Sequence, residues 1–166
     1  MANLRRFVLI VAAFLVGVGA VQCARAAEPP DDLCSLLPAS ELSKTLGQDY
    51  DSPQKSVAPR PAPDAVPGMD CNYQPRDTAG SKVLFRAYVD SSASAATLLF
   101  LRMSKFYDTI TAVTGLGDEA YFDNVHGLHV RKGKVRFAIT LVPPGDFTPA
   151  REKQMKDLAT RVAAQL

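Results

Sequence analysis

Apolar and polar residues alternate with period two across Ser81–Asp90. Val83, Phe85, Ala87 and Val89 fall on one side and Leu84, Arg86, Tyr88 and Asp90 on the other, the pattern of a half-buried strand. Shorter runs of the same kind predict strands over Asp70–Gln74 and Glu119–Asn124. Leu128–Arg131 and Val135–Val142 then read as a hairpin joined at Lys132-Gly133 or Gly133-Lys134. Three other segments carry helical signals. Pro38 opens a short helix to about Leu46, with Glu41 near its positive end and Gly47 as its stop. Ser91 and Ser92 offer caps for a helix to about Ile110, where Ala95, Leu99, Met103, Phe106 and Ile110 recur at helical spacing. Thr148-Pro149 begins a closing helix with an apolar stripe of Met155, Leu158, Ala159, Val162, Ala163 and Leu166. The resulting order, αββαβββα, predicts an α+β fold: a single antiparallel sheet of about five strands with helices packed on it. Residues 47–69 hold Pro53, Pro59, Pro61, Pro63 and Pro67 with little apolar periodicity and read as a long extended connection.

The N-terminus has a different character. Arg5-Arg6, an apolar run from Phe7 to Val21 and then Ala24-Arg25-Ala26 form the three-part layout of a secretory signal peptide. The run is about 15 residues long, short of the roughly 20 that span a hydrocarbon core. A signal over residues 1–26 leaves Ala27 as the mature start, a polar lead-in to residue 33 and one domain over 34–166. Cys23 is the position at which a lipoprotein would be acylated, but Gln22 stands where that processing prefers a small residue. Residues 1–26 contain three arginines and no acids, so the 19 basic residues fall to 16 against 17 acidic and the net charge becomes about −1. That balance carries no electrostatic footprint for nucleic acid, and no second apolar run of spanning length follows. The expectation is a periplasmic or extracellular soluble monomer.

An exported chain sits in an oxidising compartment, where the even pair Cys34 and Cys71 reads as a disulfide. Closing a loop of about 38 residues is worth roughly 4 kcal/mol in the chain-entropy picture. The bridge would hold the proline-rich stretch between its ends.

Several short motifs occur in order: Cys34-Ser35-Leu36-Leu37-Pro38 before a Glu-bearing helix, Cys71-Asn72-Tyr73, Gly115-Leu116-Gly117-Asp118-Glu119-Ala120-Tyr121, Arg131-Lys132-Gly133 and the closing Ala/Leu helix. Together they resemble a bacterial, largely actinobacterial, family of secreted proteins and lipoproteins of unknown function. The resemblance spans nearly all of residues 34–166. It implies an exported α+β domain with a Cys34–Cys71 bridge and brings no activity with it. Leu37 stands where members commonly carry a threonine before the helix proline, which weakens the helix cap, and many members have a true lipoprotein cysteine.

Candidate chemistry is sparse. Gly115-Leu116-Gly117 lacks the third glycine and the following helix of a phosphate loop and reads as a turn. Asp118 and Glu119, as neighbours on a strand, are expected to point apart as solvated or turn-capping acids. His126 and His129 fall on opposite faces of an extended segment with no third ligand at metal spacing, so a loop histidine and a surface histidine are expected, with no metal or cofactor. No nucleophile elbow is present. The basic cluster Arg131, Lys132, Lys134 and Arg136 sits at a hairpin tip, where such charges solvate a turn.

Two surfaces stand out. If the apolar side of the sheet faces the helices, Arg86, Tyr88, His129, Arg131 and Arg136 share the opposite face, either as a ligand platform for an anionic small molecule or glycan or as a solvated sheet back. The uninterrupted run Leu98-Leu99-Phe100-Leu101 cannot lie on one helix face, and burial of its excess beneath the proline-rich segment is expected. The sequence thus predicts a non-catalytic binding or interaction module, whose partner is a small molecule or an envelope protein. The alternatives are a membrane-tethered accessory lipoprotein of an envelope complex and an enzyme with an unrecognised site. The exported protein is expected to begin at Ala27 without lipid, which intact mass spectrometry checks; a diacylglycerol adduct on Cys23 contradicts it.

Overall fold

The computed structural model describes residues 28–60, 65–77, 79–142 and 147–166; the expected signal segment and Cys23 lie outside them. After a 3-10 turn at Leu33–Leu36 come helix α1 (Ala39–Leu46), strands β1 (Gln54–Ala58), β2 (Gly68–Tyr73) and β3 (Lys82–Val89), and helix α2 (Ala93–Ser104). Strands β4 (Ile110–Ala112), β5 (Glu119–Asp123), β6 (Leu128–Lys132) and β7 (Val135–Val142) and helix α3 (Pro149–Ala163) complete the chain. The strands form one antiparallel sheet in the order β1-β2-β3-β7-β6-β5-β4. The α+β class and the single antiparallel sheet stand as expected, but the described residues hold seven strands where the sequence predicts about five.

Both additional strands lie at the edges. β1 falls within the proline-rich connection, and four of its five residues are exposed, so it carries no alternation of burial. Pro53 and Pro59 bracket it and Lys55 sits within it, devices that blunt a sheet edge. β4 is three exposed residues and begins at Ile110, which the sequence places at the end of α2. The helix instead stops at Ser104, leaving Phe106 76% exposed.

The sheet is covered on both sides. On one, Phe85, Leu128, Val130, Phe137 and Ile139 meet Leu158 and Val162 of α3, Leu42 of α1 and Leu36 and Leu37 beside the 3-10 turn. The caps are as anticipated for α2, where Ser92 Oγ accepts from Ala95 N, and for α3, where Thr148 Oγ1 accepts from Arg151 N. α1 has Pro38 at its N-cap and makes no side-chain cap bond there. Cys34 and Cys71 are bonded and are 3% and 0% exposed, tying the 3-10 turn to the centre of β2. The Tyr73 hydroxyl donates to the carbonyls of Leu37 and Cys34 in the same corner.

α2 lies on the other side, against β6 and β7. Its inward residues are Ala96 and Phe100, and the Phe100 ring packs 5.0 Å from Tyr121. Ala65 and Val66 of the proline-rich connection line a shallow cavity together with Leu98 and Leu99. Leu98 and Leu101 remain 59% and 50% exposed, so the expected burial of the run's excess beneath that segment is not found.

Because the bridge joins two buried elements across 37 residues of sequence, Cys71→Ser is expected to destabilise the domain by about 2–5 kcal/mol in denaturant titration. Unchanged unfolding contradicts a structural role.

Candidate functional site

The register of three strands assembles the polar face. Arg86 of β3 and His129 of β6 flank Ala138 of β7, and one step along, Tyr88 and Arg131 flank Arg136. Arg86 is therefore a diagonal neighbour of Arg136, roughly 7–8 Å away at the backbone. The small Ala138 side chain leaves a depression between its larger neighbours, and α2 makes it a cleft. A cavity of about 100 Å³ is lined there by Arg86, Tyr88, His129, Arg136, Ala138 and Thr140 from the sheet, and by Phe100 and Met103 of α2 with Tyr107 just beyond it. The geometry thus brings four of the expected residues together. Arg131 stays outside, its guanidinium turned toward the start of β5.

The expected platform is neither open nor rich in unpaired cations. Arg136 is 2% exposed and grips Asp90 through two hydrogen bonds, Nε to Oδ2 at 2.5 Å and Nη2 to Oδ1 at 3.0 Å. Its Nη1 reaches Met103 Sδ at 3.0 Å, and its guanidinium carbon lies 4.8 Å from the Tyr88 ring centre. Arg86 makes the same two-pronged contact with Asp70, at 2.6 and 2.8 Å, while keeping a third of its side chain exposed. Arg131 is shared between Glu119 at 2.8 Å and Asp118 at 2.9 Å. A guanidinium removed from water requires such a partner.

This also corrects two expectations about acids and basic residues. Asp118 precedes β5, so strand alternation does not separate it from Glu119, and both converge on Arg131. Asp118 also accepts from Gly133 N in the hairpin loop, the chief reason its carboxyl is held below the usual range. Within the basic cluster, Arg136 is a core residue and not a solvated tip. Gly117, at φ 60°, lets the preceding turn approach β6 closely: a Cβ there would lie 2.5 Å from the Arg131 carbonyl oxygen.

His129 is buried at 6% exposure, contrary to a surface histidine. Its Nε2 meets Asp123 Oδ2 at 2.8 Å, its ring stacks on Tyr121 at 4.8 Å, and Tyr107 packs 5.2 Å away. Asp123 Oδ1 simultaneously accepts from the backbone of Val125 and Gly127, closing the β5–β6 turn. Burial alone would raise the Asp123 carboxyl, but these bonds from His129, Gly127 and Val125 outweigh it and hold it below the ordinary range. His126 is the expected loop histidine, in the left-handed region at φ 64° and stacked on Phe147 at 4.3 Å.

Burial raises the hydroxyls of Tyr88, Tyr107 and Tyr121, so all three remain protonated donors at neutral pH. Tyr88 donates to the Pro59 carbonyl at 2.8 Å, tying the proline-rich connection to the sheet. Among the described residues the buried Tyr121 hydroxyl has no hydrogen-bond partner. Among the described residues no cluster of three His, Cys, Asp or Glu side chains is placed to hold a metal ion. No helix among them is long and apolar enough to cross a membrane.

The carboxylates behind the cleft were missed by the sequence reading, although the signal was present. Asp90 alternates in step with Arg86, and Asp123 with Glu119 and Tyr121. Counting acids on the arginine face shows that carboxylates are available there, and the strand register assigns them. No protein-family model, curated protein or solved structure matches the chain.

Removing one half of a buried charge pair strands the other. Asp90→Ala is expected to cost about 3–5 kcal/mol, while Asp90→Leu combined with Arg136→Met costs markedly less. Thermal and denaturant unfolding of the single and double variants check this; equal losses contradict it.

Proposed function

We propose that this chain is an exported, non-catalytic binding module whose ligand site is the cleft between α2 and the polar sheet face. The observation that carries the reading is the convergence of Arg86, Tyr88, His129 and Arg136 with Phe100, Met103 and Tyr107 around one cavity floored by Ala138. Concave sites that join aromatic walls to a few fixed polar groups are the usual form of small-ligand sites. The ion pairs favour recognition because they fix each side chain before a ligand arrives, which reduces the ordering cost of binding. The lining contains no serine, cysteine or carboxylate, and the His129 Nε2 is already bonded to Asp123, which supports binding over nucleophilic chemistry.

Export rests on the basic, apolar and small-x-small pattern of residues 1–26. The Cys34–Cys71 disulfide fits an oxidising compartment. The resemblance to secreted bacterial proteins and lipoproteins of unknown function supports the same setting. A second reading, an accessory subunit docked in an envelope complex, is favoured by the exposure of Leu98, Leu101 and Phe106.

Ala138→Phe would fill the cleft floor without replacing any ion-paired residue. In a fragment screen by NMR, fragments that bind the native protein are expected to shift Ala138 and Thr140 signals, and binding is expected to fall at least tenfold in Ala138→Phe while the fold persists. Hits confined to other surfaces, or unaffected by the substitution, overturn the cleft as the site.

A further inference from the structure

We infer that the cleft takes one edge of a neutral hydroxyl-bearing ring, a sugar residue at the end of a glycan, in preference to an anion. This deepens the binding reading above and rests on it. The charges around the cleft are already balanced. The guanidiniums of Arg86 and Arg136 are each matched by a carboxylate, Asp70 and Asp90, and Asp123 lies behind His129. Two guanidiniums and a histidine are set against three carboxylates, so an entering anion finds no net positive charge.

The hydrogen-bond capacity of the lining points the same way. Nε and Nη2 of Arg86 bond Asp70, leaving Nη1 with its donors on a side chain that lines the cleft and is one-third exposed. Thr140 adds a hydroxyl that both donates and accepts. Behind the lining rings of Phe100, Tyr107 and His129, Tyr121 packs as a second layer that does not itself line the cavity.

Size and shape narrow the class further. A cavity of about 100 Å³ corresponds to roughly three waters at about 30 Å³ each. That suits the hydroxyls along one ring edge and not a whole metabolite. Hydroxyls both donate and accept, so they reproduce the bonds of the waters they displace, which a carboxylate cannot. The Tyr88 and Tyr107 rings supply amphipathic surface for the C–H faces of such a ring.

The test titrates the exported full-length domain with neutral methyl hexosides and pentosides, with methyl glucuronide, and with neutral non-sugar fragments. The readout is the Ala138 and Thr140 methyl signals. A neutral glycoside is expected to saturate these shifts in the millimolar range, with the glucuronide about fivefold weaker, the scale of one like-charge contact in a solvated cleft. The Thr140 shift is expected to vanish in Ala138→Phe. Equal or tighter glucuronide binding overturns the neutral-sugar class and leaves the cleft standing. So do cleft shifts from non-sugar fragments with none from any glycoside. If nothing in any arm moves these signals, both the class and the cleft fall.

Discussion

Arg136 sits mid-sheet on a strand that α2 covers, and its guanidinium is almost wholly removed from water. A charge in that position is tolerated only when a carboxylate is fixed against it with good geometry. Asp90, at the end of β3, supplies that carboxylate through two hydrogen bonds. The requirement spreads outward along the same face, since Arg86, Arg131 and His129 each take their own acid. The polar side of the sheet is consequently a second interior, organised by charge pairing where the α3 side is organised by apolar packing.

That division explains how one sheet serves two purposes. The α3 side, with the Cys34–Cys71 bridge buried at its centre, supplies the bulk of the apolar burial. The α2 side buries less apolar surface, with Ala96 and Phe100 as the helix's only buried residues. The helix bridges the row of paired charges without filling it, because Ala138 is too small to meet it. The cleft follows from that shortfall in side-chain volume, and the ion pairs around it hold its walls in place.

The alternation of side chains along β3, β6 and β7 was legible in the sequence, and it placed Arg86, Tyr88, His129 and Arg136 on one face correctly. Edge strands were not legible. β1 and β4 are exposed along almost their whole lengths, so burial imposes no period on Gln54–Ala58 or Ile110–Ala112. Phe106 and Ile110 matched helical spacing by coincidence: the helix ends at Ser104, and Tyr107 turns inward against His129 instead. Which sheet face α2 covers was also hidden, because Leu98 to Leu101 are apolar all round and local periodicity cannot choose between two sides. The functional consequence of the arginines was inverted for the same reason. Strand by strand they looked like open donors; only the register of β2 with β3, and the place of Asp90 beside β7, reveals their partners.

The central claim is that the cations of the polar face are held by their own carboxylates. Guanidinium 15N NMR at neutral pH tests it most directly. Arg136 and Arg86 are predicted to show slowly exchanging Nε–H signals with resolved, non-averaged Nη resonances. The exposed Arg76, paired with Asp51 through a single bond, is predicted to show averaged, rapidly exchanging ones. If Arg136 and Arg86 exchange and rotate like Arg76, the paired-charge interior does not exist in solution and the account built on it fails.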